Sequence, residues 1–230
     1  EEGPPLGFSI IMRRFLLVKG MSLSKRTRIL LLFLALYCFR TLFGLSLLFY
    51  GTTEIERDAL QTYLIGLKCY TTGTWPYFGP DQYRVTTGFH SQIPGALEGL
   101  AIGLPFYPLP IPEAPFLLLN LLSLSALALL ARYITRRLPE LSFEFVFAWI
   151  ALLPWTLNRS THILNPSFLL FGSVLFFIGF LECLPGFSKA WLSPAWAFGW
   201  MGFGLFWAMQ FHLSWVLLPP LVLFAFAWRR

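Results

Sequence analysis

Charged side chains are what this chain has least of: 12% of 230 residues, where ordinary globular domains carry about 25%. So little charge cannot solvate a folded surface, and it excludes a disordered chain, a secreted disulfide scaffold and a soluble enzyme. Cysteine is sparse too. Cys38, Cys69 and Cys183 are odd in number, far apart and in no CxxC pair, so neither a disulfide framework nor a zinc site follows. Also missing are a phosphate-binding P-loop, a dinucleotide glycine fingerprint, HExxH and GxSxG. The net charge is +6 and the pI about 9.5. Even so, no basic stripe interleaved with aromatics is present for nucleic acid to use.

What is abundant is apolar. Hydrophobic residues make up 57% of the chain, with 25 Phe and 9 Trp, and mean hydropathy is +0.66. That composition suits a lipid interior with aromatic interfaces. The expected fold class is all-α, a polytopic transmembrane helix bundle of about six spans. A spanning helix needs about 20 mostly apolar residues. Candidates are Ile29–Tyr50, Ala114–Tyr133, Phe143–Leu157 with Pro154 near its end, Ser167–Leu184, Ala195–His212 and Leu213–Trp228. The Gly199–Gly204 stretch reads as helix packing.

Lys and Arg placement sets the orientation. With the N-terminus cytoplasmic, the inner segments collect Arg13, Arg14, Lys19, Lys25, Arg26, Arg28, Arg132, Arg136, Arg137, Lys189, Arg229 and Arg230. The outer segments hold only Arg57, Lys68, Arg84 and Arg159. This bias requires the proline-rich run Pro94–Pro112 not to cross, so it reads as re-entrant or interfacial. The expected organisation is a basic cytoplasmic segment 1–28, a first span 29–50, an extracytoplasmic loop 51–113 and a bundle 114–230. The chain opens Glu1-Glu2 without Met, and Met12 and Met21 precede the basic run. It closes on Arg229-Arg230 directly after an apolar stretch. The expectation is that the first twenty residues are doubtful and that sequence continues past Arg230.

The long outer loop has its own pattern. Thr53-Glu54-Ile55-Glu56 fits a capping box, and Leu60, Tyr63, Leu64, Leu67 and Tyr70 recur at helical spacing. Glu56–Thr72 therefore reads as an amphipathic juxtamembrane helix with Asp58 in its first turn, ended by Gly73 and followed by an interfacial loop at Thr74–Tyr77. A carboxylate held at the interface can take a proton from a hydroxyl or ligate a phosphate-bound metal. Favourable placement at the positive end of a helix accounts for Glu54, Glu56 and Asp58 equally well. Arg40 stands mid-span, where a charge costs at least ~2.5 kcal/mol and usually faces a cavity or a partner. His90, His162, His212, Gln92, Asn158, Arg159, Asn165 and Gln210 all fall on the outer side in this topology, as an extracytoplasmic site would require.

These residues resemble a known family. A span, an acidic residue opening an amphipathic helix in the first outer loop, and Gly73-Thr74-Trp75 closing it resemble the GT-C superfamily. These are membrane glycosyltransferases that use polyprenyl-phosphate sugars. The similar branch holds dolichyl-phosphate-mannose protein mannosyltransferases and bacterial lipid A aminoarabinose transferases. Gln92-Ile93-Pro94-Gly95-Ala96-Leu97 is similar to that branch's Pro-Pro-Leu segment. Tyr133–Arg137 is similar to the aromatic and Arg-Arg that end its second span. Pro154 and Gln210-Phe211-His212 also match features in order. The resemblance covers about residues 29–228, the N-terminal part of such an enzyme.

The resemblance implies roles. Asp58 is the catalytic residue that activates the acceptor hydroxyl or orients the donor phosphate. Arg57, Arg84 or Arg40 balances the phosphate charge, while His90 and Gln92 line the cleft. Asn165 stands where the family often has an acidic residue, which leaves a divalent metal open. The expected function is transfer of a sugar from a polyprenyl-phosphate donor to a glycan, lipid or protein acceptor of the cell envelope. The chemistry takes place on the outer side of the inner (plasma) membrane, and no nucleic acid is involved. The alternative is a polytopic transporter or a lipid-linked-oligosaccharide flippase, which would place ionisable groups along several spans and repeat internally.

Overall fold

The computed structural model describes residues 24–50, 53–84, 89–184 and 190–229, with the backbone alone at 47–50, 53–58, 81–84, 89–91, 93–94 and 165. Most of these residues are helical. In chain order come α1 (Lys25–Tyr50), α2 (Thr53–Thr72), a hairpin of β1 (Phe78–Arg84) and β2 (Phe89–Pro94), and α3 (Leu97–Gly103). Then follow α4 (Ala114–Arg137), α5 (Phe143–Leu152), α6 (Pro154–Ser160), α7 (Leu169–Cys183), α8 (Pro194–Phe211) and α9 (Pro219–Arg229). Three stretches are helical, long and apolar enough to cross a membrane: Lys25–Ser46, Ala114–Arg137 and Pro166–Cys183.

Local chemistry sets most boundaries. Ser142 accepts from the Phe145 amide at 3.1 Å and Ser193 from the Trp196 amide at 3.5 Å, each capping a helix start. Gly73 ends α2 with φ +67°, a conformation that costs glycine nothing. The apolar run 143–157 is not one helix. Pro154 has no N–H to give the Ile150 carbonyl, and Leu153 turns extended (ψ 134°), so α5 stops and α6 starts. The freed Ile150 carbonyl accepts from Thr156 Oγ1 at 2.6 Å. The last apolar run is likewise divided, into a 3-10 turn at Leu213–Leu217 and the eleven-residue α9.

Pairwise packing fixes the direction of each helix. Leu36 of α1 packs with Leu124, Leu127 and Ala131, and Leu45 joins the cluster of Phe116 and Leu119, so α1 and α4 are antiparallel. Phe33 stacks on Phe147 at 6.1 Å and Gly44 meets the Thr161 carbonyl, so α5 and α6 run alongside α1. At the end of α4, Arg137 forms an ion pair with Glu182 near the end of α7. Those two helices are therefore parallel, and α5–α6 is the return between them.

The pair α7 and α8 is antiparallel and very close. A Cβ at Gly204 would stand 2.5 Å from the Gly172 carbonyl, and one at Gly179 2.5 Å from the Ala197 carbonyl. The gap is closed by backbone contact, as in small-residue packing of membrane helices. Gly199 and Gly202 face open space, so only Gly204 of that stretch fulfils the packing expectation. Phe180 sits 6.3 Å from Phe224, and Arg229 lies beside Cys183 further along both helices, so α9 runs parallel to α7.

Two ends result. One holds Lys25, Arg26, Arg28, Arg132, Arg136, Arg137 and Arg229. The other carries α2, the hairpin and α3, joined to the bundle by a cluster of Ile102, Phe106, Ala114, Phe116, Leu119, Ile163, Phe168 and Phe211. The hairpin departs from the all-α expectation. The proline-rich run does not cross the bundle, because α3 is seven residues long and stays at the end where α4 begins.

Candidate functional site

The platform at the second end is built on a seam of small residues. On α2, Thr62, Gly66 and Cys69 are buried at one-turn spacing, while Leu60 and Leu64 are exposed on the opposite face. A Cβ at Gly66 would lie 2.5 Å from Ile102 Cβ, and one at Gly103 2.9 Å from the Gly66 carbonyl. A Cβ at Gly99 would meet Pro76 at 2.6 Å and Ile65 at 2.9 Å. No larger residue fits at Gly66, Gly99 or Gly103, so Ile102 and Ile65 pack into the spaces the glycines leave and the two helices touch backbone to backbone at Gly66 and Gly103. Tyr63 and Tyr70 close one edge, with ring centroids 5.9 and 5.3 Å from Phe106. The Tyr63 hydroxyl donates to the Pro112 carbonyl at 3.2 Å.

The pairs Cys69–Gly103, Gly66–Ile102 and Ile65–Gly99 advance together, so α2 and α3 run parallel and Glu98 falls level with Thr62. Asp58 and Arg57 belong to the backbone of the turn before Thr62. Helix α2 begins at Thr53 rather than Glu56, so Asp58 lies in its second turn, and four-residue spacing sets it on the line of Thr62 and Gly66.

The hairpin carries three other expected site residues. Its register pairs Tyr83 with His90, Arg84 with Phe89 and Asp81 with Gln92, with an irregularity between Phe78 and Asp81. His90 and Gln92 are two apart on β2 and so share a face of the strand. Gln92 is exposed. Asn165 opens the short 3-10 helix Asn165–Phe168. The side chains of Arg57, Asp58, Arg84, His90 and Asn165 lie outside the described ones.

Where the hairpin meets α3, Gly95 adopts φ +127°, and the Gln210 side chain of α8 lies against it. A Cβ there would be 1.8 Å from Gln210 Oε1. Of the expected polar group, then, Gln210 reaches the hairpin. His162 is buried in the turn after α6, while Asn158 and Arg159 are exposed. Burial first, and Arg159 second, hold the His162 imidazole down to about 4, so it is neutral at physiological pH. His212 accepts from the Ser214 amide at 3.1 Å and caps the 3-10 turn before α9.

Arg40 behaves differently from the cavity-facing group the sequence suggested. It is 0% exposed and bound to protein acceptors: Nη1 donates to the Ala151 carbonyl at 2.6 Å and Nη2 to Ser160 Oγ at 2.7 Å. Ala151 is the carbonyl freed where α5 breaks. Beside it, Asn120 Nδ2 donates to the Phe116 and Thr161 carbonyls, each at 3.1 Å. Arg40 thus secures a broken helix to α1 and α4.

Two buried acids were not assigned roles from sequence. Glu182 accepts from Tyr133, Arg137 and the amides of Trp191 and Leu192. Glu98 is 1% exposed, and neither of its oxygens has a partner among the described groups. Burial pushes its carboxyl up to about 8, so it carries a proton at neutral pH. The signal in each case was a lone acid in an apolar run. Among the described residues, no three His, Cys, Asp or Glu side chains gather as a metal site. No protein-family model matches the chain, and no curated protein or solved structure matches it either.

Proposed function

We propose that the chain is an integral membrane glycosyltransferase that moves a sugar from a polyprenyl-phosphate donor to an acceptor on the extracytoplasmic side. The observation that carries this reading is the platform: the α2 seam, headed by Asp58, lies on α3 at the end of the bundle opposite the cations. Under the positive-inside rule the cationic end is cytoplasmic, which makes the platform extracytoplasmic. The bundle then crosses six times, as α1, α4, α5–α6, α7, α8 and α9, and the nine exposed and half-buried aromatics of α8 and α9 meet lipid.

A lipid-linked donor presents its phosphate at the interface, where this platform stands. Asp58 takes the proton of the acceptor hydroxyl as that oxygen attacks the anomeric carbon. Arg57 and Arg84 offset the charge of the departing phosphate, and His90 and Gln92 hold the sugar from one face of β2. Arg40 and Asn165 act through structure, at the helix break and at the start of the turn before α7. A transport pathway has less support, because Arg40 and Glu182 both have protein partners within the bundle.

The test is a transfer assay in proteoliposomes with a radiolabelled polyprenyl-phosphate sugar. Asp58→Ala is expected to lower turnover by roughly 100-fold or more, the usual contribution of a positioned base. Full activity in that variant overturns the assignment. Cysteine labelling at positions 60 and 136 of intact cells gives the orientation, and labelling of 136 from outside overturns the topology.

A further inference from the structure

The two strands of the hairpin have different supports: β1 packs on α2 and α3, whereas β2 packs on α8. The last turn of α8 is itself held firmly. Trp207 Nε1 donates to the Phe168 carbonyl at 2.8 Å, and Phe211, 0% exposed, stacks on Phe168 with ring centroids 5.2 Å apart. From that turn the half-buried Gln210 reaches Gly95, where the chain leaves β2 for α3. The junction has one soft position. Pro94 before it has its φ set by the ring, and Ala96 after it is already helical (φ −95°, ψ −15°). Gly95 between them adopts φ +127°, which L side chains rarely adopt. A Cβ at Gly95 would stand 1.8 Å from Gln210 Oε1 and 2.4 Å from Cδ, so the amide occupies the space beside the hinge.

We propose that Gln210 is a positioning residue for the hairpin: packed against the hinge at Gly95, it fixes the angle at which β2 stands on the bundle. The inference rests on the glycosyl-transfer reading, in which the face of β2 shared by His90 and Gln92 holds the donor's sugar. Gln210 makes and breaks no bond in the transfer. Its contribution is to donor binding. A strand free to swing about Gly95 must be ordered each time the sugar binds, and that ordering weakens affinity. The same loss applies before and during reaction, so it falls on KM and leaves kcat alone.

The test uses the full chain in proteoliposomes and compares Gln210→Ala with Gln210→Met. Alanine empties the space beside Gly95, while methionine keeps the length of the side chain and fills it. Gln210→Ala should raise the donor KM by about ten-fold with kcat within about two-fold of wild type, and Gln210→Met should bring KM back to within about three-fold. A spin label at Phe78→Cys reads the hairpin directly, because Phe78 is 57% exposed and pairs with Pro94. Cys38→Ser supplies the background, since Cys69 and Cys183 are buried. The label should gain mobility in Gln210→Ala and keep its wild-type mobility in Gln210→Met. An unchanged donor KM in Gln210→Ala, a fall in kcat as large as the rise in KM, or a label equally mobile in all three proteins overturns the inference. Transfer that survives Asp58→Ala, while the label still responds to Gln210→Ala, overturns the site assignment instead, so the two failures are distinguishable.

Discussion

Arg40 donates to Ser160 across 2.7 Å, joining the first long helix to the end of α6, 120 residues further along the chain. The same guanidinium holds the Ala151 carbonyl, so one side chain spans the break on both sides. Arg40→Leu removes both donors and leaves the Ala151 carbonyl without one. Each buried group so stranded costs about 1–3 kcal/mol. Thermal unfolding in detergent should show a clear loss of stability, partly restored in Arg40→Lys. An unchanged midpoint would mean that the break is held by other contacts.

The clamp at the cationic end predicts a strong coupling. The Glu182 side chain is 0% exposed, while that of Arg137 is 15% exposed. Glu182→Ala removes the acceptor of four donors and should cost roughly 3–5 kcal/mol. Arg137→Ala should cost less, since Tyr133 and the two amides still satisfy the carboxylate. A double-mutant cycle should give a coupling above about 0.5 kcal/mol, and additive effects would exclude a working pair.

Glycine substitutions on α8 separate contact from composition. Gly204→Ala drives a methyl against the Gly172 carbonyl, which is backbone and cannot yield. Overpacking of this kind costs about 1–3 kcal/mol. Gly199→Ala and Gly202→Ala meet nothing within 4 Å, and alanine is the better helix former by about 1 kcal/mol. Midpoints of the three variants should order accordingly, with Gly204→Ala alone below wild type.

The pH dependence of stability follows from two buried groups. The Glu98 carboxyl rises from 4.5 to about 8 on folding, so the folded chain keeps a proton that the unfolded chain releases. Stability is therefore lost as pH climbs from 4.5 to 8. The His162 imidazole falls from 6.5 to about 4, so its contribution is present above 6.5 and lost as pH falls to 4. Between 4.5 and 6.5 the two slopes oppose each other, and between 6.5 and 8 only the Glu98 slope remains. Unfolding midpoints should hold level across the first window and decline across the second. In Glu98→Gln the decline should vanish.

Much of the architecture was legible because long apolar runs and cation placement report directly on helices and their directions. Ala114 starts and Gly73 follows the helices that the sequence suggested, and the end of α4 came four residues late, at Arg137 rather than Tyr133. The hairpin was not legible. Gly79 and Pro80 interrupt β1, and β2 ends on a proline, so neither strand alternates cleanly. Asp58 was visible through helical spacing, whereas the seam it heads depends on Gly66, Gly99 and Gly103 meeting partners 23 or more residues away. The partners of Arg40 were hidden for a related reason. A carbonyl becomes available only where Leu153 and Pro154 break the helix, and no residue type marks which distant donor will take it.

The Glu182 clamp also has a consequence in time. A ribosome releases the chain from its N-terminus, so Arg137 and Tyr133 emerge 45 and 49 residues before the carboxylate they bind. The knot closes only when Trp191 and Leu192 follow, nine and ten residues after Glu182. Until then the guanidinium at the end of α4 has no buried carboxylate to meet and stays in water. Trp191 and Leu192 lead directly into α8, so one carboxylate joins the end of α4 to the segment that starts α8.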